Sequence, residues 1–172
     1  MKTILQTPRI IIREFKPDDL EKYIALNQNE RVMKHISART RADVEAKFDA
    51  ALADYAAGLG LSRWGMFDPV DDGFMGVCML KKSSNDPDKL ELGYIFDEPY
   101  WGRGLATEMA AALVKYGFET MNVPEICACT NDENIASQNV LVKAGLKREG
   151  TIFWHEKDIP FFRAVNPNHS DK

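Results

Sequence analysis

The stretch between residues 91 and 113, ELGYIFDEPYWGRGLATEMAAAL, constrains the fold more than any other part of the chain. Alternating apolar residues at its start predict a strand, and apolar residues three and four apart at its end predict a helix. The two are joined by a short loop that contains a proline and two glycines. A strand, a loop with little side-chain bulk and a helix start, in that order, form a common backbone site for a phosphate-bearing anion.

The composition of the chain is that of an ordinary globular protein. It has 172 residues, of which 45% are hydrophobic and 28% charged, so we expect residues 1–172 to form a single domain with a sizeable core. The formal net charge is −4, from 22 basic and 26 acidic residues. Because a nucleic-acid binder normally carries a basic excess, this charge argues against a nucleic-acid partner.

The N-terminal residues contain no apolar segment of signal-peptide length, and no stretch approaches the roughly 18 apolar residues that a membrane-spanning helix needs. We therefore expect a cytoplasmic protein with no membrane partner. The three cysteines, Cys78, Cys127 and Cys129, fit neither a disulfide framework nor a zinc site. We interpret them as small buried side chains rather than a redox pair, and we expect no metal.

Other hydrophobic patterns predict an α/β domain with a mixed sheet, because helices come first, then antiparallel-looking strands, then strands alternating with helices. The predicted strands cover 9–15, 61–67, 74–82, 88–97 and 125–130, followed by two more in the segments KREGTIFWHEK and IPFFRAV. The predicted helices cover 16–28, 29–36, 41–60, 105–120 and 135–146.

The loop from Trp101 to Thr107 by itself leaves several interpretations open. A nucleoside-triphosphate loop requires G-x-x-x-x-G-K-[ST], which the chain lacks. A dinucleotide fingerprint requires a third glycine where Thr107 stands, and Glu125 opens a strand, whereas the ribose-binding acid of that fingerprint ends one. An ordinary turn without a ligand and a coenzyme A site are the remaining interpretations.

Three ordered motifs resemble the GNAT acetyltransferase superfamily. YWGRGLATE resembles its pyrophosphate loop, [QR]-x-x-G-x-[GA]: Gly104 and Ala106 match, and Trp101 replaces the usual Gln or Arg. A Trp at this place is familiar in the branch that includes the ribosomal-protein N-terminal acetyltransferases. LQTPRIIIREFKPDDLEKY and NIASQNVLVKAGLKREG also resemble segments of that branch, so the similarity covers most of residues 5–150. The last twenty or so residues match poorly.

The resemblance implies a mixed, mostly antiparallel seven-stranded sheet with helices on both faces. It also implies a split between two central parallel strands, 88–97 and 125–130, in which acetyl-CoA would bind. Asn134 would hold the pantetheine arm, although an Asn at a helix start is also a common cap. Backbone groups of Ile95, Phe96 and Asp97 would contact the pantetheine and the thioester. The pyrophosphate would lie on the loop formed by Trp101, Gly102, Arg103, Gly104, Leu105, Ala106 and Thr107.

The implied chemistry is attack of an amine on a thioester, which needs a base and a stabilised oxyanion. Glu91 resembles the water-activating carboxylate of some relatives, and its alternative interpretation is a solvated or ion-paired strand residue. Ser137 could relay a proton to the leaving sulfur, or it could be a surface or capping serine. Many relatives carry a tyrosine where this chain has Leu141. We expect Tyr94 to have a packing role, and Tyr100 lies nearer the loop.

The acceptor pocket should be walled by the first helices and the last strand pair, where core packing is the alternative role of each side chain. The residues in those segments are Arg31, Met33, His35, Trp154, His155 and Phe161. For a lone histidine such as His35, the structural role is the usual one.

We therefore expect an N-acetyltransferase that moves acetyl from acetyl-CoA to a primary amine, either a protein N-terminus or a small molecule. Attack would be direct, without an acyl-enzyme on Cys127 or Cys129. A homodimer is common among the relatives and is kept as an expectation. The alternatives are a non-catalytic acyl-CoA-binding or sensing module and, less favoured, a dinucleotide-dependent enzyme.

Overall fold

The computed structural model describes residues 1–83, 89–154 and 156–169. Eight strands and four α-helices occur within them. The helices are α1 (Leu20–Gln28), α2 (Arg41–Ala56), α3 (Leu105–Lys115) and α4 (Ile135–Lys143). The strands are β1 (Thr3–Gln6), β2 (Ile11–Arg13), β3 (Ser62–Phe67), β4 (Phe74–Lys82), β5 (Leu90–Phe96), β6 (Glu125–Cys129), β7 (Lys147–Trp154) and β8 (Lys157–Val165).

The strands form one mixed sheet in the order β1-β2-β3-β4-β5-β6-β8-β7. The pairs β1–β2, β2–β3, β6–β8 and β7–β8 are antiparallel. Strands β5 and β6 are parallel, with Leu90 opposite Ile126 and Glu91 opposite Cys127. The predicted α/β class, with a mostly antiparallel sheet and a central parallel pair, is confirmed.

The sheet has eight strands rather than the expected seven because residues before the first predicted strand, 9–15, form a strand of their own. A tight turn, in which the Thr7 N–H donates to the Ile10 carbonyl oxygen at 2.9 Å, separates β1 from β2. Pro8 occupies the second position of this turn, where its fixed φ is favourable. The preceding residues then pair with β2 as an extra edge strand.

The predicted helix over 29–36 is wrong, since the chain forms turns there. The side-chain oxygen of Asn29 accepts the backbone N–H groups of Arg31 at 3.0 Å and Val32 at 3.4 Å. This contact resembles a helix N-cap, but the hydrogen bonds that follow, from the Met33 N–H to the Asn29 carbonyl oxygen and from the Ile36 N–H to the Met33 carbonyl oxygen, close separate turns and do not continue as a helix.

Two compact units are distinguished, each with its own core. The first comprises residues 1–79 and 94–105. Its centre is an aromatic cluster in which the ring of Phe15 lies 5.6 Å from that of Tyr23 and 4.9 Å from that of Phe48. All three side chains are buried, and each burial contributes roughly 1.5–3 kcal/mol to stability.

The second unit comprises residues 80–93 and the chain from 106 onward. Helix α3 presents Met109, Ala110 and Leu113 to its core, and all three are fully buried. Just beyond α3, a Cβ atom on Gly117 would lie 2.7 Å from Cδ1 of Ile126. The backbone after α3 therefore lies directly against β6, which holds the helix on that strand.

A buried ion pair lies next to the start of α1. Arg13 Nη1 lies 2.9 Å from Asp19 Oδ2, and the two side chains are 4% and 2% exposed. The Arg13 guanidinium also lies 3.3 Å above the ring of Phe67. Burial opposes ionisation of Asp19, but hydrogen bonds from Arg13, the Lys16 N–H and Lys22 outweigh it and hold the pKa of Asp19 below its usual value.

Replacing Asp19 should therefore destabilise the protein strongly. We expect Asp19→Asn to lower the free energy of unfolding at pH 7 by about 3–5 kcal/mol, because a buried guanidinium loses its counter-ion. Because the folded-state pKa of Asp19 is depressed, its contribution is present above the unfolded pKa, about 3.9, and is lost as the pH falls through the lower folded value.

Urea denaturation of the wild type and Asp19→Asn, measured at pH 7 and again towards pH 3, checks both effects. The matched control is Glu45→Gln, which removes a carboxylate from an exposed pair with Arg41 and should cost less than about 1 kcal/mol. Equal stability of Asp19→Asn and the wild type at pH 7 would contradict the structural role of the pair.

Candidate active site

The segment that follows β5 forms a short, well-anchored loop. A single turn at Glu98–Tyr100 follows the strand, and α3 begins at Leu105. The Trp101 indole Nε1 donates to the Phe96 carbonyl oxygen at 2.8 Å. Arg9 Nη1 donates to the Arg103 carbonyl oxygen at 2.9 Å. The loop is thereby tied to the strand end and to the N-terminal segment.

Its exposed side presents backbone rather than side chains. Gly102 and Gly104 have φ values of +68° and +75°, a left-handed conformation that favours glycine. No heavy atom of the described residues lies within 4 Å of where a Cβ on Gly102 would be. The first N–H groups of α3, from Leu105 to Thr107, have no acceptor within the helix. Such a helix start can bind an anion.

Arg103 adds a positive charge to this loop. It is exposed, and its guanidinium carbon lies 5.8 Å from the centre of the Tyr100 ring. Tyr100 is half-buried, and burial together with the nearby Asp71 raises the pKa of its hydroxyl. The hydroxyl is therefore neutral at physiological pH. Bare backbone, a helix start and one arginine together can hold a phosphate group.

The end of β5 is held tightly against β4. Gly76 has a φ of +145°, and a Cβ there would lie 2.1 Å from the Ile95 carbonyl oxygen. Only glycine permits this approach. The Asp97 N–H donates to the Met75 carbonyl oxygen at 2.9 Å, and the Asp97 carbonyl oxygen accepts from Tyr100. The N–H of Asp97 is thus occupied within the protein, while its carbonyl oxygen has a second lone pair for a ligand donor.

Glu91 lies half-buried in β5, opposite Cys127 on β6. Ser83 Oγ donates to Glu91 Oε2 at 3.2 Å, which orients the carboxylate. Burial and the charge of Glu91 raise the pKa of Cys127 to about 11 and that of Cys129 to about 12. The two thiols are therefore protonated and poor nucleophiles at neutral pH, as the sequence interpretation requires.

The same two thiols line a cavity of about 400 Å³ within the second unit. Its other walls combine polar groups at one side with apolar side chains at the other. Phe161, one of the predicted pocket residues, is among them. The lining residues are Ser83, Lys89, Cys127, Cys129, Ile152, Phe153 and Phe161.

Asn134 caps α4. Its Oδ1 accepts the Ser137 N–H at 3.1 Å, so the capping role considered for Asn134 is confirmed. Ser137 lies half-buried in the first turn of that helix. Leu141, which stands where many relatives carry a tyrosine, is 2% exposed and belongs to the core. This position therefore provides a packed apolar side chain and no hydroxyl group.

The remaining predicted pocket residues have mixed outcomes. Arg31 Nη1 pairs with Glu98 Oε2 at 2.7 Å, beside the loop. Met33 packs against the first core and His35 is half-buried.

Tyr94 packs edge-on to Phe96 at 6.2 Å between ring centres, in agreement with its predicted packing role. Trp154 ends β7, and His155 lies outside the described residues.

Two residues that shape this region were not predicted. Gly76 interrupts an apolar run, FMGVCML, and an isolated glycine in a strand is a signal for close backbone approach. Arg9 binds the loop from 94 residues away in sequence. No local pattern marks such a contact.

Comparison with known proteins identifies the family of this chain. A family model described as an acetyltransferase (GNAT) domain matches residues 9–147. The chain belongs to the GNAT acetyltransferase family. The uncharacterized N-acetyltransferase YnaD of Bacillus subtilis (strain 168) is 30% identical over 156 residues, 91% of this chain and 88% of the relative.

Solved GNAT structures have the same fold. The ribosomal-protein-S5-alanine acetyltransferase of Vibrio fischeri superposes with a TM-score of 0.80 at 17% identity, covering 97% of this chain and 98% of that one. The spermidine N-acetyltransferase of Vibrio cholerae, solved with CoA and spermine, superposes with a TM-score of 0.75 at 17% identity, covering 95% and 99%. These neighbours have the same fold as this chain over nearly its whole length.

As a GNAT member, the protein is an acetyl-CoA-dependent N-acetyltransferase. Among the residues that the structure describes, no helix is long and apolar enough to cross a membrane. Within that same part of the chain, no group of three or more His, Cys, Asp or Glu side chains could hold a metal ion.

The raised pKa values of Cys127 and Cys129 predict slow alkylation. At pH 8 no more than roughly 0.1% of either thiol would be thiolate, against about a quarter for an unperturbed cysteine. We expect iodoacetamide to label both residues on the order of 100-fold more slowly in the folded protein than in guanidinium. Mass spectrometry of timed digests measures this. Equal labelling rates in the two states would contradict the assigned environment.

Proposed function

We propose that this GNAT enzyme moves the acetyl group of acetyl-CoA directly to a primary amine, without an acyl-enzyme. The observation that carries the proposal is the exposed loop from Trp101 to Thr107, with bare backbone at both glycines and a helix start behind it. The protonated state of Cys127 and Cys129 supports direct attack, because neither thiol is suited to carry the acetyl group.

The pyrophosphate of CoA would lie on Gly102, Gly104 and the first N–H groups of α3, from Leu105 to Thr107. Phosphate oxygens match these donors in charge and hydrogen bonding. Arg103 would add a charge-assisted contact. Trp101 would hold the loop in place through its hydrogen bond to the Phe96 carbonyl oxygen. It stands where relatives carry Gln or Arg, and it acts through this hydrogen bond and not through charge.

The pantetheine arm and the thioester would contact backbone groups of Ile95, Phe96 and Asp97. Asp97 would take part through the second lone pair of its carbonyl oxygen, because its N–H already donates to Met75. The side-chain amide nitrogen of Asn134 would donate to a pantetheine carbonyl oxygen, while its oxygen continues to cap α4. The capping and binding roles of Asn134 are therefore compatible.

Glu91 would accept the proton of the acceptor ammonium, directly or through one water molecule. Ser83 holds its carboxylate in place through the 3.2 Å hydrogen bond. As the nitrogen–carbon bond forms, backbone N–H groups near Ile95 would stabilise the negative charge on the thioester oxygen. The carbon–sulfur bond then breaks, and Ser137 would relay a proton to the sulfur, which also leaves readily as thiolate near its pKa of about 8.5.

The acceptor class is a primary amine, either a protein N-terminus or a small molecule. The two solved neighbours are named for different amines, a ribosomal-protein alanine and spermidine. The cavity bordered by Phe161, Ile152 and Phe153 offers an apolar wall to the carbon part of such a molecule. A homodimer belongs to the proposal as an untested expectation from the relatives.

The cofactor assignment is tested by thermal denaturation with acetyl-CoA, CoA and NAD. We expect acetyl-CoA and CoA, but not NAD, to raise the midpoint, because a ligand at a hundred times its dissociation constant adds about 2.7 kcal/mol of stability. In Gly104→Glu both rises should disappear, since a negative side chain would enter the phosphate site.

Gly58→Glu is the matched control. Gly58 has a similar φ of +65° and open surroundings, but it lies after α2 rather than in the loop. It therefore carries the same strain and charge change and should keep the CoA-dependent rise. A full CoA response in Gly104→Glu would show that the loop does not hold the pyrophosphate.

The proposed base is tested by Glu91→Gln, which keeps the shape and the Ser83 contact but removes the charge. We expect kcat for acetyl transfer to fall by about 100-fold or more, with acetyl-CoA binding retained. Glu125→Gln, on the neighbouring strand and paired with Arg163, is the control.

Unchanged kcat in Glu91→Gln would remove Glu91 from the mechanism. Acetyl-CoA binding by the wild type with no transfer to any amine would indicate a non-catalytic acyl-CoA-binding module instead.

A further inference from the structure

Two half-buried arginines, Arg39 and Arg63, bind neighbouring side chains of α1, outside the cofactor loop. Arg39 Nη1 donates to Asn27 Oδ1 at 2.9 Å, and Arg63 Nη1 donates to Tyr23 Oη at 3.1 Å. Tyr23 and Asn27 are four residues apart on α1 and therefore face the same side of the helix. Arg39 precedes α2 and Arg63 lies in β3, so tertiary folding alone brings the two guanidinium groups together.

Neutral groups hold both arginines. Across the described ranges, 1–83, 89–154 and 156–169, no carboxylate forms an ion pair with Arg39 or Arg63. Three other arginines of the same unit do have acidic partners: Arg13 pairs with Asp19, Arg31 with Glu98, and Arg41 with Glu21 and Glu45. Burial lowers the pKa of Arg39, and the charge of Arg63 also lowers it, while Tyr23 and the Asp43 carboxylate act in the opposite direction. Asp43 forms no ion pair with Arg39, and an anion bound between the two arginines would offset their mutual repulsion.

The groups that hold the pair are rigid. Tyr23 is fully buried and Asn27 is 6% exposed, and Asn27 Nδ2 donates to the Tyr23 carbonyl oxygen at 2.8 Å. The Tyr55 hydroxyl donates to the Arg63 carbonyl oxygen, which fixes the backbone at that end. Two guanidinium groups fixed in this way present planar N–H donors that match a carboxylate or a phosphate.

The pair lies on the face of the sheet where the proposed thioester contact is. Tyr23, Val77 and Ile95 belong to one core cluster. Arg63 Nη2 lies 3.5 Å from Met79 Sδ, and Met79 follows Val77 by two residues on β4, so both side chains point to the same face. None of these partners belongs to the loop assigned to the CoA pyrophosphate. An anion bound here would therefore be distinct from the CoA pyrophosphate.

We propose that Arg39 and Arg63 bind a carboxylate or phosphate group of the acceptor, so that the amine acetylated by this enzyme is one that also carries an anionic group. This inference rests on the proposed acetyl transfer and names the acceptor class of the same site. Two adjacent guanidinium groups also repel a purely cationic acceptor such as a polyamine, which adds discrimination against that class.

The first experiment measures anion binding without needing an acceptor. The protein is saturated with CoA, so that the proposed phosphate loop is filled, and its thermal midpoint is compared in succinate, inorganic phosphate and chloride at equal ionic strength. We expect succinate or phosphate to raise the midpoint of the wild type, and the larger rise identifies the preferred group. Arg39→Gln and Arg63→Gln should lose the rise.

Arg41→Gln is the matched control for this comparison, because it removes a nearby positive charge that already has carboxylate partners. It should respond to the anions as the wild type does. The inference is overturned if the wild type shows no rise, or if both Gln variants keep it.

The second experiment compares matched acceptors that differ only in charge: an amino acid with its amide, and an aminoalkyl phosphate with the amino alcohol. We expect the wild type to prefer the charged member of a pair. Arg39→Gln and Arg63→Gln should lower kcat/KM for that member by about tenfold to a hundredfold, with the neutral member unchanged. Arg39→Lys should recover part of the loss.

Different results would overturn the acceptor assignment and the proposed acetyl transfer. Acetyl transfer to neutral and charged amines at equal kcat/KM would overturn the acceptor assignment and leave the proposed acetyl transfer intact. A protein that CoA does not stabilise would overturn the proposed function, and the acceptor assignment with it.

Discussion

The parallel pairing of β5 with β6 is the constraint on which the functional region depends. Leu90 lies opposite Ile126 and Glu91 opposite Cys127. Parallel neighbours cannot be joined by a hairpin and need a crossover of a dozen or more residues, which α3 supplies here. The chain must therefore leave the carboxyl end of β5 through a loop that opens directly into a helix. That topology creates the backbone on which we propose that the pyrophosphate binds, and the glycines only make it accessible.

Charge is divided between structure and ligand binding in the first unit. Arg13 is buried against Asp19 and has a fixed counter-ion, so its charge contributes to stability and to nothing outside the protein. Arg39 and Arg63 are held by Asn27 and Tyr23, which orient their guanidinium groups without neutralising them. Arginine therefore has a structural role where its partner is a charged carboxylate, and a proposed binding role where its partner is a neutral side chain.

Much of the fold was predictable because its signals are local. The strand that became β5, the helix that became α3 and the cap at Asn134 all follow from patterns within about ten residues. The helix predicted at 29–36 was wrong, because Asn29 provides the contact of a helix cap and the local pattern does not distinguish the separate turns that follow from a helix. The hydrogen bonds that occupy the Asp97 backbone were also missed, since the Met75 carbonyl oxygen lies on another strand.

The sequence by itself determined the order of strand, bare loop and helix, the motifs that mark the GNAT family, and the residue types at the proposed cofactor loop. These depend on backbone preferences and spacing, which each segment carries within itself. Tertiary structure alone decided which charges meet. Whether Arg39 and Arg63 face a carboxylate or each other depends on the docking of α1 against β3, because electrostatic interactions act through space and not along the chain.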